Sequence, residues 1–187
     1  MTRSPTVEPL TYPTAGLLKD AFGATRIYSV SGVVIDLGED LRLTDPLEGI
    51  VQLTRTNRGL YVRARMRTAI AGLCSRCLRE LEIPLDVAID EEALPSIDIV
   101  TGLPVDRSAE PDVLRLNERH ELELEPVVRE AIQLGEPLAP LCRADCPGLC
   151  AVCGADLATT PHQHPPEIDE RWEALRAVVV DEERESE

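Results

Sequence analysis

The sequence predicts an α+β fold: an antiparallel β-sheet or partly open barrel with flanking helices and a Cys-rich C-terminal segment. Three observations predict it. Residues 25–92 run through extended segments that are rich in β-branched residues or alternate apolar with polar, joined by short turns. Helical periodicity lies only outside that block. Four of the six cysteines, Cys142, Cys146, Cys150 and Cys153, fall within twelve residues.

At 187 residues the chain fits one domain, or a domain with a small appendage. It is 43% hydrophobic but only 3% aromatic, so its core is expected to be built from Leu, Val, Ile and Ala. Residues 1–13 read as a flexible Pro-rich tail. They contain no apolar stretch of the signal-peptide type, and no run approaches the ~20 apolar residues of a membrane span. The expectation is a cytoplasmic protein with reduced thiols and no membrane partner.

The elements follow in order. "TAGLLKDAFG" reads as a short helix capped by Thr14, with Leu17, Leu18 and Ala21 on one face and Gly23 at its end. "TRIYSVSGVVIDL" is β-branched and extended. "LEGIVQLTRT" and "LYVRARMRTAIAGL" flank "NRG" and read as a hairpin. "RELEIPLDVAIDEE" places Leu81, Ile83, Leu85, Val87 and Ile89 on one face. Sequential strands of this kind pair antiparallel. Residues 93–112, rich in Pro, Asp and Ser, are expected as a mobile loop. "EPVVREAIQLG" reads as a helix with Pro126 in its first turn and Gly135 after its end. "IDERWEALRAVVV" reads as a last amphipathic helix bearing Ile168, Trp172, Leu175 and Val179 on one face. The organisation expected is a β-rich core with flanking helices over 14–134, a Cys-rich segment over 135–166, a helix over 167–180 and an acidic tail over 181–187.

The cysteines point to a metal. "CSRC" supplies Cys74 and Cys77 between two strands, and the C-terminal run is C-x3-C-x3-C-x2-C. A Cys-x2-Cys turn lets two thiolates reach one ion, and structural zinc takes four such ligands in a tetrahedron. Gly154, directly after Cys153, suits the positive φ that such a turn favours. The local set Cys142, Cys146, Cys150 and Cys153 closes only short loops, which makes it the leading ligand set. The rival joins Cys74 and Cys77 to one C-terminal pair, stapling the hairpin to the end of the chain and leaving two thiols spare. His162 and His164 are possible extra ligands, although solvated linker histidines are the plainer reading. His120 reads as a surface residue. The redox alternative, a Cys-x2-Cys dithiol, usually opens a helix in a βαβ context, and "CSRC" lies between strands.

The charge is uneven. The formal net charge is −15, which argues against general polyanion binding. Yet residues 49–79 contain no Asp or Glu and hold seven arginines, against twelve Lys and Arg and 34 acids elsewhere. Arg63, Arg65 and Arg67 alternate along one strand and share a face, with Arg76 and Arg79 just beyond. Arginine's planar fork suits phosphate, so this acid-free stripe is a candidate RNA-contact face, or a patch covered by the acidic body or a partner. A solvated strand face is the bland reading. The acids Asp90, Glu91 and Glu92 read as solvated charge. No nucleotide-binding, metalloprotease or serine-hydrolase motif is present in the sequence, and no catalytic residue or small-molecule substrate is assigned.

"CSRCL", "LEPVVREAIQL" before "PLAPLC", "DCPGLCAVCGADL" and "DERWEALRAV" together resemble the bacterial YceD family, the large ribosomal RNA subunit accumulation proteins. The likeness runs from about Leu17 to Val179, and "CSRCL" and "GLCAVCGADL" are its most specific pieces. It implies a non-enzymatic ribosome-biogenesis factor supporting processing or accumulation of large-subunit (23S) ribosomal RNA. Family genes often neighbour that of a large-subunit ribosomal protein. The resemblance therefore implies rRNA or its precursor as partner, and an acidic body could also hold a basic ribosomal protein. Members differ in which cysteine cluster they keep, and no enzymatic residue carries over. Two other classes compete with this one: a thiol redox enzyme using a Cys-x2-Cys pair, and a zinc-ribbon adaptor for a protein partner.

Overall fold

The computed structural model describes residues 10–39, 41–105, 110, 112–165 and 171. The expected helix over 167–180 and the acidic tail therefore lie, but for Arg171, outside the described residues. The chain divides into two compact units, Met1–Cys142 and Arg143–Glu187.

The first unit is built on a five-stranded sheet of order β2-β3-β4-β5-β6, with β2 Thr25–Val33, β3 Leu43–Arg55, β4 Leu60–Leu73, β5 Glu80–Leu94 and β6 Leu114–Arg115. The pairings β2–β3, β3–β4 and β4–β5 are antiparallel, as expected for sequential strands. The short β6 joins β5 in parallel, through Ala93↔Leu114 and Leu94↔Arg115.

The β3–β4 hairpin turns over residues 56–59, where the "NRG" signal lies, and is closed by the Thr56 N–H on the Gly59 carbonyl at 3.0 Å. Arg55 secures this end. Its guanidinium donates to the Leu18 carbonyl at 3.1 Å, to the Gly59 carbonyl at 2.9 Å and to the Thr56 carbonyl. One arginine of the basic stripe is thus spent inside the fold.

Alternation along β4 buries Val62, Ala64 and Met66 and exposes Arg63, Arg65 and Arg67. Leu47, Val51 and Leu53 of β3 and Val87 and Ile89 of β5 join that buried face. Each fully buried Val, Leu, Ile or Met side chain contributes about 1.5–3 kcal/mol on leaving water. The core is aliphatic, as the composition requires.

Helix α2, Glu125–Gly135, packs on β5 and buries Val128 and Ile132, which stand one turn apart. It begins with Pro126 in the first turn, as expected. Gly135, expected just past the end, is its last residue. Helix α1, Ala15–Lys19, is shorter than the sequence suggests. Leu17 and Leu18 are buried, Ala21 is exposed, and Gly23 serves the turn into β2 with φ 83°. Thr14 stands at the N-cap, its carbonyl accepting the Leu18 N–H at 2.9 Å, but its side chain makes no capping bond. Its hydroxyl donates instead to the His120 carbonyl at 2.6 Å.

Residues 11–13, expected within a loose tail, form strand β1 Thr11–Pro13 against β7 Glu121–Glu123. Tyr12 is buried there and packs on Tyr28, ring centroids 4.8 Å apart. A partner more than a hundred residues away leaves no local signal. His120, read as a surface residue, is half-buried in the turn before β7 with φ 58°. In the expected loop 93–112, Ser96 is buried and donates to the Leu116 carbonyl at 2.6 Å, and Asp98 caps a turn through the Thr101 N–H at 2.7 Å.

Candidate metal centre

Strands β4 and β5 end on the pair Leu73↔Glu80, and the six residues between them form a thiol-bearing turn. In it the Cys74 N–H donates to the Arg79 carbonyl at 2.8 Å, and the Leu78 N–H to the Cys74 carbonyl at 2.9 Å. Leu78 takes φ 58°, the left-handed conformation that closes the turn. The turn repeats in the second unit. There the Cys150 N–H donates to the Ala155 carbonyl and the Gly154 N–H to the Cys150 carbonyl, each at 2.8 Å, with Gly154 at φ 73°. Both Cys-x2-Cys pieces are therefore the same knuckle. Gly154 is the residue the sequence marks for positive φ. Leu78 went unmarked because its side chain gives no such signal.

The knuckle aims backbone N–H groups at its first sulfur. The N–H groups of Cys77, Cys142 and Arg76 hold the Cys74 thiol down to about 6, against the opposing effect of burial. The N–H groups of Cys153 and Val152 do the same for Cys150, also to about 6. A thiol held at that level is largely thiolate at neutral pH, the form that ligates metals.

In the first unit Cys142 joins the Cys74–Cys77 knuckle. Its sulfur lies 3.7 Å from that of Cys77, and the Ser75 N–H donates to the Pro140 carbonyl at 2.8 Å, holding the approaching segment. A tetrahedron with metal–sulfur bonds of 2.3 Å has sulfur–sulfur edges of about 3.8 Å. Cys74 is fully buried, Cys77 and Cys142 are half-buried, and no disulfide forms among the six cysteines. Cys146 follows Cys142 by four residues and is buried.

In the second unit Cys150 and Cys153 stand beside His162 and His164, all four ligating atoms lying within 4.8 Å of one another. The leading set of the sequence reading, Cys142, Cys146, Cys150 and Cys153, is thus not what the structure assembles. Cys142 goes to the hairpin, and the last two cysteines go to the histidines. Loop-closure entropy favoured the local set, but the N–H···S knuckles and the Ser75–Pro140 bond favour the longer connection. Each group carries soft donors that could hold a metal ion.

The arginine face has partners that the sequence concealed. Arg63, Arg65 and Arg67 do share the exposed face of β4, at 52%, 47% and 88% side-chain exposure. Their charge is not left uncompensated. In register, β5 lays Asp90 opposite Arg63 and Asp86 opposite Arg67. Asp90 takes Arg63 at 3.1 Å, Arg65 through its other oxygen, and the Tyr61 hydroxyl at 2.8 Å. Asp86 lies 3.3 Å from Arg67, and Arg58 pairs with Glu92 at 3.6 Å and with Glu110. The stripe is acid-free along the chain but not across the sheet. Asp90 and Glu92, read as solvated charge, are its counterions. Arg76 and Arg79 lie in and just after the first knuckle, on exposed positions.

Among the described residues, no helix is long and apolar enough to cross a membrane. No solved structure matches the chain significantly.

A mostly antiparallel sheet carrying a two-thiol knuckle at one end, with a second knuckle later in the chain, defines a small cysteine-knuckle α+β protein. The chain belongs to the family described as large ribosomal RNA subunit accumulation protein YceD, whose profile matches residues 62–178. That span takes in both knuckles, β5 and α2. An uncharacterized protein of Mycobacterium bovis is 33% identical over 144 residues, 77% of this chain and 61% of its own length, and one from Mycobacterium tuberculosis matches to the same extent. An uncharacterized Mycobacterium leprae protein is 39% identical over 59 residues, 32% of this chain and 27% of its own length. The chain thus spans about 61% of the length of the first two relatives. The family description names an accumulation role, not a catalytic one.

Proposed function

We propose that this protein is a non-enzymatic, cytoplasmic ribosome-biogenesis factor that supports accumulation of large-subunit (23S) ribosomal RNA. The observation that carries this reading is the family match over residues 62–178. The structure adds a physical part. In this reading Cys74, Cys77 and Cys142 of the first unit supply thiolates to one structural zinc. Support comes from three sulfur donors gathered at one end of the sheet and the tetrahedral edge between Cys77 and Cys142. An all-sulfur donor set speaks against a catalytic metal, and a site of more than two thiols speaks against a simple dithiol redox pair.

The partner surface is the exposed arginine face, Arg63, Arg65 and Arg67 with Arg76 and Arg79, set against rRNA phosphates. Exposed ion pairs are worth only about 0–1 kcal/mol, so phosphates can displace Asp86 and Asp90. One observation favours a second reading. Because those arginines are already paired in the sheet, the acidic body could instead hold a basic large-subunit ribosomal protein.

Crosslinking in cells followed by sequencing of the attached RNA tests the proposal. Enrichment of large-subunit rRNA or its precursor is expected. Crosslinks to a basic ribosomal protein with no RNA would favour the second reading, and crosslinks to neither would defeat both.

A further inference from the structure

We propose that Cys150, Cys153, His162 and His164 form a second, separate zinc site within the C-terminal unit. Four observations carry it. The four ligating atoms lie within 4.8 Å of one another. The Cys153 sulfur is 3.1 Å from His162 Nε2, which is itself 3.1 Å from His164 Nε2. The two imidazoles meet edge to face at 87°, centroids 4.9 Å apart, so their Nε2 corners converge while the rings diverge. Cys150 and Cys153 lie on a knuckle whose backbone is hydrogen-bonded as the first knuckle is.

The tautomer is set from outside. His162 Nδ1 lies 2.8 Å from the Thr160 carbonyl, an acceptor, so Nδ1 carries the proton and Nε2 of the neutral ring presents its lone pair. An imidazole oriented by a carbonyl on its far nitrogen is the usual arrangement of a metal-bound histidine. Thr160 is held in turn, its N–H donating to the Asp156 carbonyl at 2.9 Å. Two sulfurs and two Nε2 lone pairs directed at one point repel one another unless a cation or protons sit between them. A donor set of two thiolates and two imidazoles selects zinc among common divalent ions.

The chain also supplies the right number of ligands. The C-terminal unit by itself offers one complete set of two sulfurs and two nitrogens, whereas a single all-cysteine site in the chain would strand two thiols and both imidazoles. Closing residues 150–164 on one ion would fold the C-terminal unit locally, independent of the sheet. On binding, each thiol still protonated releases its proton to solvent.

The test uses the untagged full chain loaded with zinc, with metal content and zinc X-ray absorption as readouts. Two zinc ions per chain are expected, with an average shell of three sulfurs and one nitrogen. His162→Ala with His164→Ala should leave one zinc in an all-sulfur shell. Cys74→Ser with Cys77→Ser should leave one zinc bound by two sulfurs and two nitrogens. The inference is overturned if the parent protein holds zinc with no nitrogen in its shell, or if the double histidine variant keeps two ions. The parent spectrum decides even where a variant fails to fold. A parent with one zinc in a two-sulfur, two-nitrogen shell would keep this site and refute the one at Cys74.

Discussion

The sulfur atoms of Cys77 and Cys142 lie 3.7 Å apart although 65 positions separate them in the chain. This relationship turns the Cys74–Cys77 knuckle into an anchor for the segment that follows α2. Metal bound there adds directly to folding free energy. Replacing Cys74 and Cys77 by Ser should remove one metal ion per chain and lower the melting temperature. It should also speed exchange of the Ser75 amide, which bonds to Pro140. Metal analysis and amide hydrogen exchange check this. Full retention of metal would refute the anchor.

The two knuckles differ at their closing residue, Leu78 against Gly154, at φ 58° and 73°. A side chain in this conformation costs about 1 kcal/mol. A Cβ on Gly154 meets nothing within 4 Å, so Gly154→Ala should cost about that amount through the backbone alone. Leu78→Gly relieves the same strain but loosens the unfolded chain, so it should be nearly neutral. Denaturant titrations of the zinc-loaded variants give both values.

Ile132 is fully buried where α2 meets the sheet. Ile132→Ala should cost about 2–5 kcal/mol, since a packed site relaxes only partly around a lost side chain. Leu134, two residues on, is 80% exposed, and Leu134→Ala should fall within about 0.5 kcal/mol of the parent. A similar loss for both would mean that α2 does not dock as described.

Asp90 is held down to about 2, first by the Tyr61 hydroxyl and then by Arg65 and Arg63, while burial opposes them. A carboxylate depressed in the folded state stabilises above its unfolded value, near 3.9, and that contribution disappears as pH falls through about 2. The parent should therefore lose stability relative to Asp90→Asn between about pH 4 and pH 2. Identical acid profiles would show that the network does not hold in solution.

The same residue discriminates the proposed surfaces. If the arginine face meets rRNA, Asp90→Asn should tighten binding by freeing Arg63 and Arg65. Changing Arg63, Arg65 and Arg67 to Gln should abolish most binding and most of a salt slope of roughly −3, about 0.9 per phosphate. The triple variant should stay folded, each exposed site shifting stability by on the order of 0.5 kcal/mol. Unchanged RNA affinity in both variants would leave the acidic body as the working surface.

Much of this fold is legible in the sequence because its signals are local. The β4 boundaries, the "NRG" hairpin, the alternation along β5 and the span of α2 each follow from periodicity or turn chemistry. What escaped is non-local. Strand β1 needs a partner at 121–123, and the Thr14 hydroxyl donates to the His120 carbonyl rather than capping its own helix. The arginine stripe read as uncompensated because its acids sit on the neighbouring strand, in a register that no single segment encodes. The cysteines were recognisable as metal donors, yet their grouping was not, since spacing favours the local set. The first knuckle instead captures Cys142, and Thr160 orients His162 toward Cys153.

The proposed role in large-subunit rRNA accumulation depends on the Cys74–Cys77 anchor. The most direct measurement is the ratio of large- to small-subunit rRNA in cells depleted of this protein. The ratio should fall on depletion, recover with the parent chain, and stay low with the Cys74→Ser, Cys77→Ser variant expressed at equal level. An unchanged ratio in depleted cells would contradict it.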